Sequence, residues 1–427
     1  MEKLYSFFLE HPHVQTDTRA LQKGEIFFAL KGPNFNGNTY AKKALELGAA
    51  AVVVDEPIGL EGEQIFLVED VLTTLQALAL HHRKQFDIPF IAITGSNGKT
   101  TTKELIHAVL STTYKTYTTK GNLNNHIGIP LTLLSIQKDA EIAIVEMGAN
   151  HQQEIASYCK YVLPTHGLIN NCGKAHLEGF GGIEGVRKGK GELYDFLSIG
   201  QGIVFINSDL DYLLKMGERI HHKIYYGNHL GSFKTSIFQN DPFLVLEINH
   251  PTVHQQRIFT KLVGSYNKPN VEAAICIGEY FNIPFDTIRN AIESYTPSNA
   301  RSQWIDRGSN KIILDAYNAN PNSMQAALEN FSKQDLPHKI LMLGAMMELG
   351  QDAVREHQLI IDQIKQMHFS QVILVGGDFK HTEHPYQYFN NVDEACSWLK
   401  THMPEQSTIL IKGSRSMKME KLLEVLQ

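Results

Sequence analysis

Ile88-Pro89-Phe90-Ile91-Ala92-Ile93-Thr94-Gly95-Ser96-Asn97-Gly98-Lys99-Thr100-Thr101-Thr102-Lys103-Glu104 is the stretch whose reading decides the fold. The apolar run Phe90–Ile93 predicts a strand buried on both faces. Beyond the loop, Leu105, Ile106, Val109 and Leu110 recur at the spacing of one helix face. Strand, glycine loop and helix in that order form the setting a phosphate-binding loop needs. Glycines let backbone N–H groups close around phosphate oxygens, and the helix N-terminus adds partial positive charge. Gly95, Ser96, Asn97, Gly98, Lys99, Thr100 and Thr101 are therefore the candidate nucleotide contacts. Lys99 would reach the β- and γ-phosphates, and the Thr100 hydroxyl would ligate Mg²⁺. Only Ser96 and Asn97 separate Gly95 from Gly98, where the usual pattern is longer. An ordinary tight turn before a helix is the competing reading; strand, Lys-Thr pair and helix together speak against it.

Outward from this stretch, 427 residues with a 43% hydrophobic fraction predict two or three domains, each with its own core. The net charge of −6 comes without a basic or acidic block, which argues against nucleic acid or an anionic membrane as the main partner. Cys159, Cys172, Cys276 and Cys396 are scattered and form no C-x-x-C pair, so neither a disulfide framework nor a thiolate metal site is indicated. Met1-Glu2-Lys3-Leu4 lacks the layout of a signal peptide, and no apolar run approaches membrane-spanning length. A cytoplasmic enzyme without stable membrane insertion is the expectation.

The fold class expected is α/β in three domains. Residues 1–86 read as a small α/β unit, with strands at Gly24–Leu30 and Gly48–Asp55 and a helix at Tyr40–Leu47. Asp17-Thr18-Arg19 and Gly32–Gly37 fall in its loops; Arg19 is a candidate anion donor, with an ordinary surface turn as the alternative. Residues 87–298 read as a central domain with a parallel sheet. Its next strand, Glu141–Glu146, ends in a carboxylate, where Mg²⁺ is held in such folds. Leu168-Ile169-Asn170-Asn171 predicts a short strand leading to a glycine-rich loop with His176 and Glu178. Arg187, Lys188, Lys190 and Glu192 follow on a helix, where such charges ordinarily form a solvated face. Residues 200–262 look rich in strands, and Asn270 stands at a helix start, where capping is its ordinary role. Thr296–Asn299 marks a linker. Residues 299–427 alternate strand and helix, with strands at 312–315, 340–344, 372–376 and 409–413 that end in Asp, Gly or Lys-Gly as dinucleotide-fold strands do. No G-x-G-x-x-G is present, so this domain is not expected to bind NAD.

Thr94–Thr102 resembles the phosphate loop of the ATP-dependent Mur ligases, including its short glycine spacing, a motif shared with folylpolyglutamate synthases. The resemblance extends over nearly the whole chain. Gly121–Leu134, Glu146–Asn150, Ala175–Gly181, Asp315–Ser323 and Lys412–Met417 are similar to the branch that adds D-alanyl-D-alanine. The Asp-Asn-Pro-Arg motif of the diaminopimelate-adding branch is not found. The resemblance implies an N-terminal uridine-nucleotide domain, a central P-loop ATPase-like domain and a C-terminal Rossmann-like domain. It implies ATP and two Mg²⁺ ions as cofactors, with Glu146 and His176 as metal ligands. Lys190 aligns with the family's carbamylated lysine, which would ligate or orient the second Mg²⁺; Lys188 is the neighbouring alternative. Asn270 would contact adenine, and Arg301 and Asp315 would reach ATP when the domains close. Thr18 and Arg19 would belong to the uridine-nucleotide site, and Asn124 and Asn125 would line the muramoyl-peptide channel.

The implied substrates are UDP-N-acetylmuramoyl-tripeptide and D-alanyl-D-alanine, joined by a monomer through an acyl phosphate, with Lys99, Lys190 and His176 as the catalytic residues. Three positions depart from the family pattern. Tyr266 replaces a frequent His beside the adenine, Ala345 follows Gly344 where Asp is common, and Asn36-Gly37-Asn38 replaces Asp-Gly-His. An amide ligase for another amino acid, or a nucleotide-dependent switch without ligase chemistry, are the alternatives.

Overall fold

The computed structural model describes residues 1–298 and 300–426; Asn299 of the expected linker and Gln427 lie outside the described residues. Three largely parallel sheets follow one another along the chain. The first has the order Val14–Gln15, Ile26–Phe28, Ala51–Val54, Ile65–Leu67, all parallel. Its strands are shorter than the sequence predicts. Gly24 and Gly48 take φ of 89° and 95°, and such left-handed backbone ends the extended run.

The central sheet has the order His222–Tyr226, Ile203–Asn207, His166–Ile169, Phe90–Thr94, Ile142–Glu146, Thr116–Thr118, again all parallel. Phe90–Thr94 is buried throughout because helices cover both faces. Ile91 and Ile93 pack with Leu105, Ile106 and Ala274 on one side. Phe90 and Ala92 pack with Leu133, Val145 and Leu193 on the other. From Phe90–Thr94 the chain first builds the sheet toward Thr116–Thr118, then crosses back to add His166–Ile169 on the opposite side. This reversal opens a crevice at the strand carboxyl ends, and the phosphate loop lies in it. Residues 200–262 supply the two outer parallel strands and an antiparallel sheet of Lys234–Asn240, Leu244–His250 and His254–Phe259.

The first two domains share a core. Leu75 and Leu78 of the helix Val71–Arg83 join Leu4 and Phe8 from one side and Phe90, Ile129 and Leu133 from the other. Arg83 closes the seam: Nε donates to Val162 O at 2.7 Å and Nη2 to Leu163 O at 2.9 Å. Its guanidinium lies 3.6 Å from the centre of the Phe90 ring, and burial lowers its pKa to about 10.

The third sheet has the order Gln303–Arg307, Asn310–Asp315, Thr408–Lys412, Lys339–Gly344, Gln371–Val375, Gln387–Phe389. Gln303–Arg307 is its one antiparallel member and has no clear sequence signal, since Gln-Trp-Ile-Asp-Arg does not alternate. The third domain docks on the turn of the antiparallel sheet. Asn240 Nδ2 donates to Asn330 Oδ1 at 2.5 Å, and Asp335 N donates to Asp241 Oδ2 at 2.8 Å. Among the described residues no helix is long and apolar enough to cross a membrane.

Three local expectations are corrected. The strand expected through Asn171 ends at Ile169, and Asn170 and Asn171 turn toward the phosphate loop. Asn270 is not a cap: it is the third residue of the helix Lys268–Tyr280, and its Nδ2 donates to Asn267 Oδ1, the residue that is at the N-cap. The charges on the helix Ile183–Ile199 do not form a solvated face. Lys190 is buried, and Glu192 accepts from Gln153 N and Ala156 N at the start of the neighbouring helix Glu154–Val162.

Candidate active site

The strand Phe90–Thr94 delivers the phosphate loop to the crevice, and two glycines make its turn possible. Gly95 and Gly98 have φ of 148° and 81°. A Cβ on Gly98 would come within 2.7 Å of Asn270 Oδ1. The loop's first half is bound by the segment after His166–Ile169. Ser96 N donates to Asn171 O at 2.9 Å. Asn97 N donates to Asn171 Oδ1 at 3.0 Å, and Asn171 Nδ2 donates to Asn97 O at 3.1 Å. Ser96 Oγ links Gly173 O and Gly173 N at 3.0 and 2.9 Å. The second half opens the helix Lys99–Leu110 without a side-chain cap on Gly98, which leaves its N-terminal N–H groups for phosphate oxygens.

Lys99 folds back across this loop, with Nζ donating to Gly95 O at 2.6 Å. Burial lowers its pKa, Arg301 lowers it further, and Glu146 opposes both. Thr100 Oγ1 donates to Glu146 Oε2 at 2.8 Å, and Asn124 Nδ2 donates to Glu146 Oε1 at 2.8 Å. Glu146 itself is held from behind, its N–H donating to Thr119 Oγ1 at 3.0 Å. The Thr100 hydroxyl and the Glu146 carboxylate thus stand together at the foot of the loop. This donor set fits Mg²⁺, which takes one or two protein oxygens and completes its shell with water and phosphate. Among the described residues no group of three His, Cys, Asp or Glu gathers to hold a metal alone.

These elements line one cavity of about 720 Å³ between the central and third domains. Of the residues expected in the site, the wall brings together Ser96, Asn97, Gly98, Lys99 and Thr101, then Asn124, Asn125, Glu146 and His176, and finally Asn270, Arg301 and Asp315. Gly95 and Thr100 lie directly behind it. Lys190 also lies behind it: its Nζ donates to Ala149 O at 3.1 Å, while Ala149 is on the wall. Burial first, and the Lys99 charge second, lower the Lys190 pKa to about 7. Lys188 is exposed. Asn125 Oδ1 accepts from Ile127 N and Gly128 N in the turn that leads into the helix Gly128–Leu134. Thr18 and Arg19 are not on this wall. Arg19 is highly exposed and paired with Asp17 at 2.6 Å.

One side of the cavity is a buried amide cluster. Asn270 Oδ1 accepts from Thr102 Oγ1 at 3.0 Å and from Asn170 Nδ2 at 3.3 Å. Tyr266 lies nearby on the wall, its hydroxyl 2.9 Å from Ser302 Oγ, and burial raises its pKa. The third domain faces it with Arg301, whose guanidinium is 3.7 Å from the centre of the Tyr317 ring and whose buried Nε has no partner. Asp315 accepts from Ser302 N at 3.1 Å and from Lys412 Nζ at 2.5 Å. An unpartnered guanidinium N–H and the uncapped N–H groups that open the helix Lys99–Leu110 suit a polyphosphate.

His176 sits in left-handed backbone, φ 52°, and its Nδ1 lies against the carboxylate of Glu348 of the third domain, also left-handed at φ 62°. The hydrogen bond from His176 lowers the Glu348 pKa. Beside it, Lys174 Nζ pairs with Glu356 at 2.7 Å, and Lys174 N donates to Asn322 Oδ1 at 2.6 Å. Sequence reasoning did not single out Asn171, Asn320, Lys412, Glu348 or Glu356. Lys412 ends a predicted strand and Asn320 precedes Pro321, so both carried a positional signal; Asn171, Glu348 and Glu356 act only through partners distant in sequence.

Fold and site define a phosphate-loop α/β enzyme whose third domain completes the cavity beside the loop. The chain belongs to the Mur ligase family. The family's middle-domain model matches residues 93–278, its glutamate-ligase-domain model residues 300–415, and its catalytic-domain model residues 12–83. The chain is 33% identical to the UDP-N-acetylmuramoyl-tripeptide–D-alanyl-D-alanine ligase of Bacillus subtilis (strain 168), over 96% of this chain and 92% of that protein. It is 33% identical to the ligase of the same name from Escherichia coli (strain K12), over 97% of this chain and 93% of that one. Among solved structures it is similar to MurF from Acinetobacter baumannii, with a TM-score of 0.86 at 29% identity, covering 96% of this chain and 92% of that one. MurF ligase from Thermotoga maritima in complex with ADP gives a TM-score of 0.85 at 25% identity, covering 98% and 97%.

Proposed function

We propose that this chain joins D-alanyl-D-alanine to UDP-N-acetylmuramoyl-tripeptide and converts ATP to ADP and phosphate, yielding the pentapeptide precursor of peptidoglycan. The observation that carries this reading is the single cavity in which phosphate loop, Glu146, Arg301 and Asp315 meet, in a chain matched nearly end to end by ligases of that name. A carboxylate of the tripeptide attacks the γ-phosphorus, an O–P bond forms, and the bond to the ADP oxygen breaks. The amine of D-alanyl-D-alanine then attacks the acyl carbon, phosphate leaves, and the nitrogen gives up a proton.

The chain's residues act chiefly by position and charge. Lys99 exchanges its contact with Gly95 O for the phosphates, and the free Arg301 Nε takes a phosphate oxygen from the opposite wall. Tyr266 offers its ring to the purine, with Asn270 beside it. Asn124 fixes the Glu146 carboxylate that, with Thr100, would hold Mg²⁺. Bound there, Mg²⁺ would offset the charge gathering on the transferred phosphoryl group. Docking of the third domain keeps water from the acyl phosphate. Lys190 is the residue suited to carry a carbamate. Its pKa of about 7 provides the neutral amine that reacts with CO₂, and the Lys99 charge would stabilise the resulting anion. His176 and that carbamate would serve a second Mg²⁺. Thr18 and Arg19 would serve the uridine nucleotide in the first domain, and the enzyme would work in the cytoplasm.

Phosphate release from Mg-ATP that requires both the UDP-linked tripeptide and D-alanyl-D-alanine, with the pentapeptide product seen by mass spectrometry, is the expected result. Release with another amino acid, or with a folate and glutamate, would assign the chain to a sibling ligase instead.

A further inference from the structure

The short phosphate loop has little freedom to organise itself. The N–H groups of Ser96 and Asn97 are already spent on Asn171, so they cannot turn to phosphate oxygens. Besides the uncapped N–H groups that open the helix Lys99–Leu110, the Asn97 side chain remains at the tip. It meets the third domain: Asn320 Nδ2 donates to Asn97 Oδ1 at 2.7 Å, and Asn97 Nδ2 lies 3.5 Å from Asn320 Oδ1.

Asn320 is itself held in one orientation. It is the N-cap of the helix Pro321–Lys333, its Oδ1 accepting from Ser323 N at 2.9 Å, while Ser323 Oγ accepts from Asn320 N at 3.1 Å. An amide whose oxygen is committed to a capping box can only present its nitrogen elsewhere, and that nitrogen points at Asn97. Asn320 is 7% exposed, so water is a poor substitute partner. Next to this contact, Asn322 accepts from Lys174 N, three residues beyond the Asn171 that clamps Asn97 from the other side. Asn97 is thus gripped by one asparagine from its own domain and one from the third.

We propose that Asn320 is a positioning residue for the nucleotide phosphates: it acts through Asn97, so that docking of the third domain sets the shape of the phosphate loop. The inference rests on the reading of the loop as the ATP site. It makes nucleotide affinity depend on a residue that need not touch the nucleotide.

The test is a double-mutant cycle on the full chain, with Mg-ADP affinity measured by calorimetry and with ATP and D-alanyl-D-alanine kinetics alongside. Asn320→Ser keeps an N-cap oxygen but loses the reach to Asn97. It should weaken Mg-ADP by about five-fold, the worth of one neutral hydrogen bond, at an unchanged melting temperature. KM for ATP should rise while KM for D-alanyl-D-alanine stays. Asn97→Ala, which lies outside the capped helix, should do the same, and N97A/N320S should lose no more than either single variant. Unchanged affinity in N320S and N97A, or losses that multiply in the double variant, would overturn the inference. An unmutated chain that binds no Mg-ADP would instead overturn the reading of the site.

Discussion

Glu146 and Lys190 show how far a residue's chemistry depends on what surrounds it. Glu146 has both carboxylate oxygens engaged, by Thr100 and Asn124, and so presents a fixed anionic face beside the loop. Glu146→Gln keeps the shape and removes the charge. Phosphate release should fall by about 100-fold or more, and the gain in ADP affinity on adding Mg²⁺ should vanish in calorimetry. Lys190 bears the opposite strain. Its pKa in the folded chain is about 7, below the ordinary lysine value of 10.5. Below pH 7 the fold must bury a charged ammonium. Between 7 and 10.5 the unfolded chain still holds the proton that the folded chain has released, so stability rises with pH across that window. In bicarbonate-free, metal-free buffer, Lys190→Met should therefore raise the melting temperature more at pH 6 than at pH 9; equal shifts would contradict the lowered pKa. The position of the Glu146 carboxylate was legible in the sequence; the burial of Lys190 was not. Lys190 reads there as one charge among four on a helix, and the family resemblance alone drew attention to it. Its burial follows from Phe180 and Ala149, which lie on other elements.

At the scale of elements, the strand–loop–helix around Gly95–Thr100 was read correctly because local signals agreed: an apolar strand, two glycines and a helix periodicity. Where such signals conflict or are weak, the reading failed. Leu168–Asn171 looked like one strand, but it ends at Ile169, and the side chains of Asn170 and Asn171 turn to Thr102 of the following helix and to Asn97 of the phosphate loop. Gln303–Arg307 joins the sheet through pairing with Asn310–Asp315 rather than through its own composition. The helix Val71–Arg83 was not singled out, yet it welds the first two domains together. Arg83→Ala would strand the carbonyls of Val162 and Leu163 and remove the packing on Phe90. A loss of about 3 kcal/mol is expected, read as a lower urea midpoint at an unchanged slope.

At the scale of the whole molecule, the third domain lies docked against the central one, with Lys174–Glu356 and His176–Glu348 near the cavity and Asn240–Asn330 at its outer contact. In the first two of these contacts one partner is about half exposed, Lys174 in one and Glu348 in the other, so docking should yield to modest changes. A Lys174→Ala, Glu348→Gln variant should show a larger radius of gyration in small-angle scattering without ligands. Mg-ATP with the UDP-linked tripeptide should bring it back toward the unmutated value. An unchanged radius would mean that docking rests on the remaining contacts, Asn97–Asn320 and Asn240–Asn330 among them. The sequence by itself determined the α/β class, the phosphate loop, the carboxylate at the end of Ile142–Glu146 and the absence of a local dinucleotide fingerprint. Each of these lies within one strand–loop–helix unit, where period and residue type carry the information. Only the tertiary structure decided that Asn171 and Asn320 grip Asn97 from two domains, that Lys190 is buried, and that His176 faces Glu348. Those partners stand far apart along the chain, and sequence spacing carries no record of which distant side chain will supply a buried donor or charge with its partner.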